Sequence, residues 1–71
     1  MKRIQNSRET AFLGRNGTGK CAGFDFFKSN DNNSVVVTPL TSKMAMGRCE
    51  IQIPLEDLQE FVKALMEAGD E

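Results

Sequence analysis

Gly47-Arg-Cys-Glu-Ile-Gln-Ile-Pro-Leu-Glu-Asp-Leu-Gln-Glu-Phe-Val-Lys-Ala-Leu-Met-Glu-Ala-Gly69 decides the fold, because it reads as a strand running directly into the one helix this sequence can build. In Arg48–Ile53 the apolar Cys49, Ile51 and Ile53 alternate with Arg48, Glu50 and Gln52. A period of two sends the two sets to opposite faces of a strand. Pro54 fits a first helical position, where no amide donor is needed. Glu56 and Asp57 then complement the positive end of the helix dipole. Leu55, Leu58, Phe61, Val62 and Leu65 recur at three- and four-residue spacing and make one stripe. The spacing predicts a helix over 54–68, stopped at Gly69 and packed by its stripe on one face of a sheet.

Upstream everything reads as strand and turn. Residues 1–9 are polar and charged and read as a flexible N-terminal arm, leaving 10–69 as a single domain. Thr10–Arg15 is a short apolar-containing run, and Asn16-Gly17 after it is a strong hairpin signal, since a type I′ turn needs positive φ at both central residues. A second strand is expected over 18–29. There Ala22, Phe24 and Phe26 alternate with Gly23, Asp25 and Phe27, so Phe27 falls on the face opposite the other two. Asn30–Ser34 is a polar turn. Val35–Thr38 is a β-branched strand. Pro39 lacks a donor, so the strand is bent, bulged or at an edge there. Ala45-Met46-Gly47 allows a further reversal. The class is α+β: a four-stranded antiparallel sheet in the order β-β-β-β-α with one C-terminal helix.

The totals narrow the function classes. A chain of 71 residues is one small domain and buries only ~60% of its unfolded surface, which makes it marginal alone. One helix covers one sheet face, so a homodimer is expected. No apolar run is long enough for a membrane span. The basic start is followed by no apolar segment, so a secretion signal is not expected and the cytoplasm is. Cys21 and Cys49 then read as reduced thiols. With no histidine and two cysteines the chain cannot close a structural zinc site by itself, and neither a metal nor a cofactor is expected.

The net charge of −1 hides an asymmetry. Residues 1–49 hold eight Lys or Arg and three Asp or Glu, a balance of +5. Residues 50–71 hold one Lys and seven acids, a balance of −6. A basic half suggests a polyanion partner, although an evenly solvated surface with an acidic helix back has the same composition. Gly14-Arg-Asn-Gly-Thr-Gly-Lys20-Cys21 nearly spells a phosphate-binding loop, but Cys21 stands where the magnesium-binding hydroxyl belongs and a strand-like Phe24-Asp-Phe-Phe follows. No nucleotide cofactor and no enzymatic activity are expected. Arg15, Lys20, Lys28, Lys43 and Arg48 lie near turns or on strands and suit phosphates. Phe27 suits either a stacked base or a dimer interface.

Lys43 and Gly47-Arg48, followed by Cys49 through Leu65, resemble the single-stranded-DNA-binding transcriptional regulator superfamily, whose members include positive-cofactor-four-like, Whirly and Pur-alpha-like proteins. The resemblance runs over residues 43–65. It implies a four-stranded antiparallel sheet with a C-terminal helix, working as a dimer or as paired repeats. It also implies binding of single-stranded DNA or RNA on the strands and hairpins, with Lys43 and Arg48 as contacts. The alternative is a small structural or regulatory protein whose open sheet face binds another protein.

Overall fold

The computed structural model describes residues 2–14, 17–47 and 49–71. Four strands, β1 (Lys2–Gly14), β2 (Gly17–Lys28), β3 (Ser34–Leu40) and β4 (Ile51–Pro54), form one antiparallel sheet in the order β1-β2-β3-β4. A 3-10 turn, Leu55–Asp57, leads into α1 (Leu58–Gly69). This is the expected α+β arrangement. No helix among the described residues is long and apolar enough to cross a membrane.

The first departure is at the start of the chain. Lys2–Glu9, expected as an arm, is the first part of β1, with Lys2–Gln5 paired to Gly23–Phe26. The register shifts between Gln5 and Thr10, and a second paired stretch then runs from Thr10 opposite Cys21 to Gly14 opposite Gly17. The hairpin thus closes at Gly14 and Gly17, one residue earlier than an Asn16-Gly17 centre requires. Arg15 and Asn16 lie outside the described residues. At Gly23 the strands are so close that a Cβ would fall against the Ile4 carbonyl oxygen.

Turns form where short polar side chains replace main-chain partners. Asp31 Oδ1 accepts from Ser29 Oγ at 2.6 Å and from Asn33 N at 3.0 Å, and Asn32 takes φ 61°. These two donors hold the Asp31 carboxyl below the usual carboxylate range. The reversal expected at 45–47 comes earlier. Met44 N donates to Thr41 O and Thr41 N to Ala45 O, both at 2.8 Å, with Met44 at φ 60°. Residues 42–44 are therefore a three-residue hairpin loop whose last position is left-handed, and Lys43 is at its tip. Leu40 bridges to Met46 below it. Pro39 pairs with Phe24, and its carbonyl accepts from Gly47 N at 2.8 Å. A strand residue aims its N–H and C=O to the same side. The missing donor therefore falls on the side away from β2, beyond the Val37–Ile51 pair that ends β4.

Cross-strand partners share a face, which sorts the sheet into two surfaces. Arg3, Gln5, Gly23, Asp25, Phe27, Val36, Thr38, Leu40 and Gln52 lie on one. Lys2, Ile4, Phe24, Phe26, Lys28, Val35, Val37, Pro39, Ile51 and Ile53 lie on the other. The first holds the most buried side chains, Asp25, Thr38, Leu40 and Val36. The second is apolar and only partly covered: Ile53 is buried, but Ile4 and Ile51 are exposed and Phe24, Phe26, Val35 and Val37 are half-buried. The alternation of Phe24 and Phe26 against Phe27 is as expected, but the roles of the faces are reversed. Phe27, expected on the open face, shares the buried one and is itself half-buried.

The helix also departs from expectation. Pro54 is the last residue of β4 and the residue before the 3-10 turn, and Leu55 N donates to Asn33 O at 3.0 Å. Beyond that anchor α1 has its principal contacts with its own preceding turn. None of its residues is buried, and Phe61, Val62, Leu65 and Met66 are exposed. The stripe exists, but it is not packed on the sheet. A radius of gyration of 12.9 Å reflects this, against about 11 Å for a compact chain of this length.

Candidate functional site

The cations expected to bind phosphate divide between the two ends of β2. Lys20 is on β2 near the β1–β2 hairpin, and Lys43 is at the tip of the 42–44 loop; both are exposed. Separated by 23 positions in sequence, they border one hollow of about 460 Å³. Antiparallel pairing of β2 with β3 brings the end of β3, and the loop beyond it, beside the start of β2. Phe12, Cys21, Pro39, Leu40 and Cys49 give the hollow apolar walls, and Thr41 and Ser42 add hydroxyls. Its volume lies within the roughly 300–1,000 Å³ of small-ligand sites.

Lys28 and Phe27 belong to the other end. Lys28 is the exposed last residue of β2, opposite Val35. Seven residues separate Phe27 from Lys20, about 23 Å along a strand at ~3.3 Å each. The fold therefore does not bring Phe27 and Lys28 into the hollow. Arg15 and Arg48 lie outside the described residues.

Three further cations, Lys2, Arg3 and Arg8, come from the segment expected as an arm, and Lys2 is exposed at the start of β1. Arg3 is committed to structure: its Nε and Nη2 donate to Asp25 Oδ1 and Oδ2 at 2.7 and 2.9 Å. Asp25 is wholly buried while half of Arg3 remains in contact with solvent. Hydrogen bonding to Arg3 holds the Asp25 carboxyl below its usual range against the opposing effect of desolvation, and raises Arg3 in turn. Arg8 sits in the register shift of β1 and borders a separate hollow with Ser42 and Met44. A charge placed between two phenylalanines of a strand, as Asp25 is, signals a partner, but nothing in the spacing points to Arg3.

The thiols are both free. Cys21 is buried and its Sγ donates to Gly23 O at 3.3 Å, whereas Cys49 is half-buried in the wall of the hollow. Gly17–Cys21 are strand residues with β2 continuing to Lys28, so no helix opens after the glycine run as a phosphate-binding loop requires. Among the described residues no group of three His, Cys, Asp or Glu side chains is placed to hold a metal.

A hollow with apolar walls that includes Lys20 and Lys43 in its lining can accept an aromatic ring with negative charge close by, although strand alternation turns the Lys20 side chain toward the face of Ala11 rather than that of Phe12 and Cys21. No protein-family model, curated protein or solved structure matches the chain.

Proposed function

We propose that this protein binds single-stranded DNA or RNA without catalysis, as a homodimer in the cytoplasm. The observation that carries the reading is the meeting of Lys20 and Lys43 at one apolar hollow, in a chain half with a charge balance of +5. A flexible strand that passes over the hollow and the neighbouring sheet edge can place phosphates beside both lysines, and the acidic residues of α1 and its approach disfavour binding elsewhere. Resemblance of residues 43–65 to the single-stranded-DNA-binding regulators supports the same reading. Lys28 adds positive charge at the far end of β2, Arg15 and Arg48 add to the charge balance of the same chain half, and Phe27 is left to a base beyond the hollow or to the subunit interface.

Dimerisation has its own support. The stripe of α1 and the apolar sheet face both remain uncovered in one protomer. Burial of such surface contributes about 25 cal/mol per Å², and a second copy supplies a matching pair of surfaces. Sedimentation at micromolar concentration is expected to show the dimer, and a 7.9 kDa species alone refutes it.

The binding test is a titration of a short labelled single strand at several salt concentrations. Each phosphate contact contributes about −0.7 to the slope of log K against log salt on a single strand. Lys20→Ala and Lys43→Ala each flatten the slope by about one contact, with the fold unchanged because both side chains are exposed. A folded protein that binds no single strand at low salt ends this reading. The same uncovered apolar surfaces favour a second one, in which the open sheet face docks another protein; affinity for that partner would be insensitive to salt.

A further inference from the structure

Gly19 and Gly23 both interrupt β2, and only one of them is explained by the fold. Glycine in a strand interior weakens it by about 0.5–1 kcal/mol relative to alanine. At Gly23 any side chain collides with the Ile4 backbone. At Gly19 a Cβ would meet nothing within 4 Å, and the backbone is outside the left-handed region. Neither packing nor conformation requires glycine there. Gly19 lines the hollow opposite Phe12, its cross-strand partner, and its missing side chain leaves that part of the lining open. Strand glycines without a steric reason mark places where something else comes close to the backbone.

We infer that this hollow seats one unstacked nucleobase of the bound strand, a reading that rests on the proposed single-strand binding. The walls supply what a base face needs: the Phe12 ring, Pro39, Leu40 and the Cys49 thiol. Charge for the neighbouring phosphates comes from both sides of the sheet: Lys43 is at the tip of the 42–44 loop bordering the hollow, and Lys20, next to Gly19 in β2, faces with Ala11. Thr41 and Ser42 offer hydroxyls to the base edge. Thr41 Oγ1 accepts from Ala45 N at 3.2 Å and keeps its own proton to donate. A free phosphate has no use for an apolar wall, and an apolar peptide side chain has no use for two ammonium groups. A nucleotide within a strand uses both. Lys20 and Lys43 then act on affinity through charge, while Gly19 acts through space.

The test separates these contributions. Full-length protein is titrated with a labelled oligodeoxythymidylate and with an abasic strand of equal length. The base-bearing strand is expected to bind about tenfold tighter or more, the range of base contacts with aromatic side chains. Gly19→Leu fills the hollow while Lys20 and Lys43 stay in place, so it brings the base-bearing strand down to the abasic level and leaves the salt slope unchanged. Gly19→Ala, too small to fill it, keeps most of the discrimination. In the unmodified protein the base-bearing strand slows maleimide labelling of Cys49 and the abasic strand does not, a readout that holds even where Gly19→Leu does not fold. Equal affinity for the two strands, or discrimination retained by a folded Gly19→Leu, overturns the base seat and leaves single-strand binding standing. Failure of both strands to bind removes the underlying reading and the base seat with it.

Discussion

One face of the sheet carries Arg3, Asp25 and Thr38 beside Val36 and Leu40, and it is the better buried. The other carries Ile4, Phe24, Phe26, Val35, Val37 and Ile51, and it is the more open. The polar residues are inside and much of the apolar surface is outside. Burial alone at Asp25 would expel the charge; the bidentate bond from Arg3 makes it tolerable. Thr38, its cross-strand neighbour, has a buried Oγ1 with no hydrogen-bond partner among the described residues. The contrast teaches that a single chain leaves much of its hydrophobic surface uncovered. The part it does cover is specified by an ion pair as well as by packing.

Leu40→Ala tests the buried face most severely. Leu40 is 1% exposed, and its truncation is expected to lower stability by about 2–5 kcal/mol at every protein concentration. Leu65 is 59% exposed. Leu65→Ala is expected to change the dilute chain by about 0.5 kcal/mol or less, yet, if the proposed dimer forms, to lower the melting temperature at higher concentration. Concentration-independent loss in both variants would erase the distinction.

Gly23→Ala comes next. It pushes the Ile4 backbone away from β2, at about 1–3 kcal/mol, and urea unfolding measures the loss. The Arg3–Asp25 pair ranks lower, because solvent at Arg3 screens it. The carboxyl of Asp25 is held below its unfolded value, so its contribution is complete above the ordinary carboxylate range. It is lost as pH falls through the depressed folded value. Melting temperature should therefore drop on acidification below about pH 4, and Arg3→Met should remove part of that drop. An unchanged pH profile in Arg3→Met would show that the pair contributes nothing. The smallest effect is a gain. Thr38→Val removes the unpartnered hydroxyl at nearly constant shape and is expected to stabilise by about 1 kcal/mol.

Local chemistry made some of this legible in advance. The Asn-rich turn and the β-branched strand at Val35 depend on neighbours in sequence and formed where their residues indicated, whereas Glu56 and Asp57 fall in a 3-10 turn and α1 begins only at Leu58. Pro39 signalled an edge, a bulge or a bend; β3 is an interior strand, and Pro39 lies beyond the Val37–Ile51 pair, where β4 no longer pairs with it. What depends on distant partners was not legible. Lys2–Glu9 are polar enough to read as an arm, but pairing with Gly23–Phe26 takes Lys2–Gln5 into the sheet. Periodicity showed that α1 has an apolar stripe; it carries no information about what covers it. Gly47 points to a reversal at 45–47, while the loop forms at 42–44, where the left-handed residue is Met44, a type that gives no turn signal. At the hollow, Lys20 and Lys43 were recognisable as cations. Their proximity, and the walls made by Phe12 and Leu40, depend on the register of three strands.

The register shift in β1 has a consequence for solubility. As the first strand of the sheet order, β1 leaves one side free of neighbouring strands, and an unpaired strand edge is a template for adding further chains. Between Gln5 and Thr10 the regular repeat of that template is interrupted. Lys2, Arg3, Arg8 and Glu9 place charge along the same segment. A sheet edge that is both broken and charged discourages end-to-end growth into filaments. That protection matters in a molecule with so much apolar surface uncovered elsewhere, because any association through the proposed dimer would then use the faces and not the edge.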